Sequence, residues 1–256
     1  MNKAILFCVI ITISGQIFQL SAQKRKYQSL EIPAVHRGET IICHSSYCFV
    51  YDEEYEQSKW VAYKLDKSMV QGEEPRNDKF RPDPEVTTKT ADNSDYKSTG
   101  YDRGHLAPAA DMSFSKQALD ESFYFSNISP QEPGFNRGIW KKLETTVRNF
   151  ANNLNCIYVV TGPILSSGLS VIGENKVSVP DKFYKAILYV SDTLITGIAF
   201  ILPNQKSNNS SVFSFAVSID YLENETDIDF FPVLPYLLEK RTEKQFDTIF
   251  WKKYSN

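Results

Sequence analysis

Apolar residues in this chain fall into two spacings. From 27 to 51 they come in short groups that read as strands, and the polar, acidic stretch 52–59 reads as a loop. Residues 60–65, Trp-Val-Ala-Tyr-Lys-Leu, form a strand pattern. Residues 71–100 are rich in Pro, Asp, Asn, Lys and Thr and show no element of their own, a length of loop that is usually functional or disordered rather than a domain linker. Residues 115–123 are helix-like, and 123–128 read as a short strand. Over 136–152, Ile139, Leu143, Val147 and Phe150 recur every three to four residues and predict one helix. Buried strands follow at 156–161, closed by Gly162-Pro163, and at 184–190 and 195–202. The Ser/Asn patch 207–211 is a surface turn, 218–222 opens a helix or turn, and 234–251 is mostly helical. Strands and helices are mixed without a repeat, which predicts one α+β domain of about 230 residues.

Composition narrows the class. Hydrophobic residues at 42% and charged residues at 23% exclude a disordered, collagenous or coiled-coil chain. A net charge of -3 leaves no global basic field, so any polyanion must be gripped locally. Residues 1–22 combine Lys3, an apolar run from Ala4 to Ile13 and the small residue Ala22, the pattern of a cleaved signal peptide. A membrane anchor is the rival, but the run is shorter than the ~20 residues a spanning helix needs. A mitochondrial presequence would be Arg-rich and amphipathic, and this segment is neither. The expectation is a secreted or periplasmic protein, residues 23–256, without stable membrane association. Cys43 and Cys48 either form a disulfide across a hairpin or lie buried as small hydrophobes. Three thiols without a CxxC make no zinc site.

The catalytic inventory is short. The chain has three histidines, and HExxH, GxSxG and GK[ST] are all missing, which argues against a zincin, an α/β-hydrolase or a P-loop enzyme. One stretch stands out: Tyr101-Asp102-Arg103-Gly104-His105 through Asp111-Met112. Asn127-Ile128-Ser129-Pro130-Gln131 begins 22 residues after His105, and Asn136 follows at 31, with Glu144 eight residues further on. Upstream lies Arg76-Asn77-Asp78-Lys79-Phe80-Arg81. Together these resemble the DNA/RNA non-specific endonuclease family, whose defining motif is Asp-Arg-Gly-His, over roughly residues 40–240. Asp227 stands where that family usually has Gly.

The resemblance implies an α+β fold with a central antiparallel sheet and an embedded ββα-metal motif. It also implies metal-dependent, sugar-non-specific cleavage of DNA and RNA. His105 becomes the general base that activates water, since an imidazole accepts a proton at neutral pH. Asn136 becomes the direct ligand of Mg²⁺, or of Mn²⁺, an amide oxygen suiting a hard ion; the rival role is a helix N-cap. On a regular helix Glu144 would lie about 80° around and ~12 Å along from Asn136, so it would reach the metal through water; a salt bridge to Lys141 or Arg148 is the rival. Asn127 would orient His105 or the phosphate, or else serve as a turn residue. Arg103 and Arg76 would contact phosphate, with Arg81 the competitor of Arg76, and Asp102 would hold Arg103 or a water. Arg137, Lys141, Lys142 and Arg148 give the helix a local phosphate track or simply a solvated face.

A catalytically inactive secreted nucleic-acid-binding protein of the same fold is the alternative. Intact His105, Asn136 and Glu144 argue against it. DNA-versus-RNA preference and oligomeric state, a homodimer included, stay open.

Overall fold

A computed structural model describes residues 29–208 and 211–256. The signal-peptide reading of 1–22 therefore lies outside the described residues, and the turn at 207–211 lies partly outside them. The strand patterns pair into a seven-stranded, wholly antiparallel sheet. Its strands are β1 (Ile41–Cys43), β2 (Cys48–Asp52) and β3 (Gln57–Asp66), then β6 (Cys156–Pro163), β9 (Lys182–Val190), β10 (Ile195–Pro203) and β11 (Ala216–Val217), in the order β1-β2-β3-β6-β9-β10-β11. Two ribbons stand outside it: β4 (Asp102–His105) with β5 (Ile128–Gln131), and β7 (Val171–Ile172) with β8 (Val177–Ser178).

Period-2 alternation gives the sheet two apolar faces. Val159, Ile187 and Ile198 face one way and pack with Leu143 and Val147 of α3 (Lys141–Leu154). Val160, Ala186 and Ala199 face the other way and pack with Ile219 and Leu222 of α4 (Ile219–Thr226). Helix α5 (Tyr236–Lys244) joins α4 on that second face, and α6 (Thr248–Lys253) returns Trp251 to the α3 layer, where it meets Phe150 edge to face at 4.8 Å. The short helices α1 (Asn93–Tyr96) and α2 (Lys116–Glu121) lie in the long connections. Among the described residues no helix is long and apolar enough to cross a membrane.

Several boundaries differ from the sequence reading. Gln57 and Ser58 belong to β3 rather than to a loop. Both are fully buried polar residues, so hydropathy hid them. The strand expected at 123–128 is a 3-10 turn, Phe125–Asn127, followed by β5. The helix expected over 136–152 is two segments: an irregular, wide-turned piece, Phe135–Trp140, precedes the regular α3, with Gly138 at φ -106 and ψ -109 breaking the helical path. Cys43 and Cys48 pair in register at the end of the β1–β2 hairpin and form a disulfide, leaving Cys156 as the free thiol among the described residues.

Candidate active site

The ribbon β4–β5 carries the Asp-Arg-Gly-His motif. Its register sets Asp102 opposite Gln131, Gly104 opposite Ser129 and His105 opposite Ile128. A Cβ at Gly104 would lie 2.1 Å from the Gln131 side chain, so glycine is required here for close packing inside the ribbon. The His105 ring is buried between Phe80, at 5.5 Å, and Phe123, at 5.0 Å and edge to face. Its Nε2 is sealed from solvent without a hydrogen-bond partner. Burial first, and then the charges of Arg76 and Arg103, push its pKa down to about 3 against an opposing pull from Asp78, so the ring is neutral at physiological pH.

Asn127 does not reach the cavity. Its side chain is fully buried and accepts the Ala107 N–H at 2.8 Å, while its amide donates to the carbonyls of Ala107 and Ser122, both at 2.9 Å. Its backbone carbonyl also accepts the Leu106 N–H at 2.9 Å. Its bonds reach the backbone of Leu106 and Ala107, just beyond the histidine, and not the His105 ring. No contact with phosphate is available to it.

The loop 71–100 is held down by its own polar groups, a role no apolar pattern reveals. Asp83 is buried, bonds His44 Nε2 at 2.8 Å and accepts a short bond from Ser126 Oγ. The Phe125 N–H donates to the Arg81 carbonyl at 3.0 Å, the Arg81 N–H donates to the Phe123 carbonyl at 3.2 Å, and Asn77 bonds Asp120. This anchoring brings Phe80 against His105. Arg76 lines the cavity and pairs with Asp78 at 2.6 Å. Arg81, its competitor in the sequence reading, lies instead over the Tyr124 ring at 4.2 Å and outside the cavity.

Asp102 holds Arg137 and Asn136, not Arg103. Arg137 makes a two-pronged bond to its carboxylate, 2.8 and 2.6 Å, and Asn136 Nδ2 donates to Oδ2 at 2.9 Å. Burial raises the Asp102 pKa, but these bonds outweigh it and hold the carboxyl below its usual range. Arg103 bonds Asn93 Oδ1 at 2.5 Å and lies over Phe80 at 4.3 Å. The N-cap role of Asn136 is excluded, because Gly134 flanks the irregular segment and no side chain caps it. With its amide nitrogen committed to Asp102, Asn136 has its carbonyl oxygen left for a ligand. That hard oxygen lines the same cavity as the Glu144 carboxylate, and both donor types suit a divalent cation.

Beneath the cavity lies a charged layer. Arg148 bonds Asp111 at 2.9 Å rather than Glu144, and Tyr63 donates to the same buried aspartate at 2.8 Å. Lys185, fully buried on β9, donates to the Leu106 carbonyl at 3.1 Å and Thr161 Oγ1 at 3.0 Å, with its ammonium 4.5 Å from the centre of the Trp140 ring. Burial raises the Glu144 carboxyl and lowers the Lys185 ammonium, and each charge partly offsets the other. The sequence reading missed Lys185. Its signal was a lysine on the same strand face as the apolar Phe183 and Ile187.

His105, Arg103, Arg76, Asn136, Arg137, Lys141 and Glu144 all line one cavity of about 570 Å³. Of the residues expected in the site, Asn127, Arg81 and Lys142 do not line it. With Arg148, Asp78 and Asp102, the wall carries five cationic side chains against three carboxylates, a locally basic cleft on an acidic chain. It brings together a neutral imidazole, cationic side chains, and amide and carboxylate oxygens.

Comparison with known proteins places this arrangement. The sequence model of the DNA/RNA non-specific endonuclease family matches residues 31–237. The chain is 37% identical over 208 residues to the mitochondrial nuclease EXOG of Danio rerio, covering 75% of this chain and 60% of that protein. It is 34% identical over 201 residues to human mitochondrial endonuclease G, covering 73% and 68%. A crystal structure of an EndoG/EndoGI complex superposes with a TM-score of 0.74 at 30% identity, covering 81% of this chain and 90% of that one. The chain thus spans about 60% of the length of the EXOG relative. The expectation of a secreted or periplasmic protein is corrected by these relatives, which are mitochondrial nucleases. An apolar start is a weak address signal when read without its receptor. The match extends over most of the chain and takes in the cleft with its histidine, asparagine and glutamate, and on that footing the chain belongs to the DNA/RNA non-specific endonuclease family.

Proposed function

We propose that this chain hydrolyses phosphodiester bonds in DNA and RNA as a sugar-non-specific endonuclease. The observation that carries the reading is a neutral, buried His105 sharing one basic cleft with Asn136 and Glu144. The family is divalent-metal dependent, and the hard oxygens of this cleft favour Mg²⁺, with Mn²⁺ as substitute. Asn136 would hold the ion directly and Glu144 through water, and the bound ion would supply charge neutralisation at the scissile phosphate.

His105 takes the proton from the attacking water. Its neutral state makes it available as acceptor, and a bound phosphate offsets Arg76 and Arg103, raising its basicity when substrate arrives. Arg76 and Arg103 contact the phosphate, and Arg137 and Lys141 extend the track for the backbone. Contacts confined to phosphate carry little sequence information and make binding salt-sensitive. The mitochondrial location of the EXOG and endonuclease G relatives supports the same location here.

The test is incubation with supercoiled plasmid and with RNA, with and without Mg²⁺, beside His105→Ala. Metal-dependent loss of both substrates, abolished in the variant, is expected. A folded protein that binds nucleic acid but cleaves neither substrate with Mg²⁺, Mn²⁺ or Ca²⁺ would overturn the reading.

A further inference from the structure

On the sheet face opposite the cleft, α4, α5 and the turn between them gather five acidic side chains. Carboxylate oxygens of Asp220, Glu223 and Glu243 lie within 4.8 Å of one another, and so do those of Asp229, Glu239 and Glu243. Glu243 is common to both sets. It is 7% exposed, and its Oε1 is sealed from solvent with no hydrogen-bond partner. Among the described residues no lysine or arginine forms an ion pair with any of the five. Glu223 has one partner, the Phe230 N–H at 2.9 Å.

A buried carboxylate oxygen without a donor is costly, and surrounding it with four more carboxylates adds repulsion. A hard cation removes both costs at once. Ca²⁺ takes six to eight oxygens and accepts flexible, two-oxygen carboxylate binding, whereas Mg²⁺ keeps most of its waters and needs few carboxylates. We propose that Glu243, with Asp220, Glu223, Asp229 and Glu239, forms a binding site for a divalent cation of the Ca²⁺ type that ties α4 to α5. The site is separate from the catalytic cleft. Ile219 and Leu222 of α4 pack on the layer of Val160 and Ala199, while Leu143 of α3 packs on that of Val159 and Ile198.

Calorimetric titration with Ca²⁺ and thermal unfolding with and without it test the site on the full chain. Asn136→Ala, which removes the proposed catalytic ligand, is expected to retain one Ca²⁺ site and a rise in Tm on adding Ca²⁺. Glu243→Gln is expected to lower that affinity at least tenfold and abolish the rise. If Glu243→Gln does not fold, Asp229→Asn at an exposed position provides the same reading. Loss of all Ca²⁺ binding in Asn136→Ala, or unchanged binding in both acidic variants, would overturn the proposal. Neither result bears on whether His105 cleaves nucleic acid.

Discussion

The amide nitrogen of Asn136 donates to Oδ2 of Asp102 at 2.9 Å, on the carboxylate that also takes both prongs of Arg137. One strand residue thus fixes which end of an amide on another segment is taken up by a carboxylate. Asp102→Asn keeps the shape but loses the charge that pairs Arg137, and its own amide can present either end to Asn136. Metal affinity is expected to fall 10- to 100-fold, the usual cost of losing a group that orients a ligand. Activity titrated against Mg²⁺ should shift to higher concentration and recover in large part at saturation.

The pKa of His105 near 3 gives a pH prediction with a definite sign. In the unfolded chain the ring titrates near its ordinary 6.5. As pH falls below that value the unfolded state takes up a proton and the folded state does not, so stability present above 6.5 is lost progressively toward 3. Thermal melts from pH 7 to 4 should show a steeper loss for the wild type than for His105→Ala. In kinetics, kcat/KM should show no acid limb from His105 near pH 6.5. A limb in kcat should appear at higher pH than any in kcat/KM, because bound phosphate raises the ring's pKa.

Lys185 links the ribbon, the sheet and the charge of Glu144. Lys185→Met removes the donor to the Leu106 carbonyl and Thr161 Oγ1 and takes from Glu144 the strongest of the cations acting on it, ahead of Arg148 and Arg76. A loss of about 3–5 kcal/mol is expected from denaturant unfolding, the scale for stripping one partner from a buried pair. Glu144→Gln should be less costly in the Lys185→Met background than alone, and a double-mutant cycle measures that coupling.

Asn127 stands behind His105 as a positioning residue. Asn127→Ala leaves the Ala107 N–H and the carbonyls of Ala107 and Ser122 without partners in a sealed site. A destabilisation of about 1–3 kcal/mol is expected. Since the side chain does not line the cleft, kcat should fall while KM and metal affinity stay near their wild-type values. A matching rise in KM would place the side chain on the substrate instead.

Much of the sheet was legible because its strands are buried on one or both faces, and runs such as 156–161 and 184–190 leave little else for them to be. The motif residues were legible through order and spacing. What escaped has physical causes. Gly138 breaks the chain path without breaking the apolar period, since Ile139 stays buried on the same side, so two segments read as one helix. Gln57, Ser58 and Lys185 are polar groups buried with partners, and hydropathy assigns such residues to the surface. Loop 71–100 owes its order to Asp83, His44 and Ser126, which are distant in sequence.

His105, the proposed base, sits on a two-stranded ribbon that is not part of the seven-stranded sheet. Side-chain bonds moor that ribbon to its surroundings: Asp102 to Asn136 and Arg137, Arg103 to Asn93, Trp140 Nε1 to the His105 carbonyl at 3.4 Å, Asn204 Nδ2 to the Pro130 carbonyl at 3.1 Å, and Ser129 to Gln57 at 2.5 Å. A two-stranded unit has little cooperativity of its own. It is therefore expected to open apart from the sheet, its amides exchanging with solvent sooner than those of β6 and β9 in a hydrogen-exchange measurement. On warming, such an enzyme would lose turnover below the temperature at which its sheet melts.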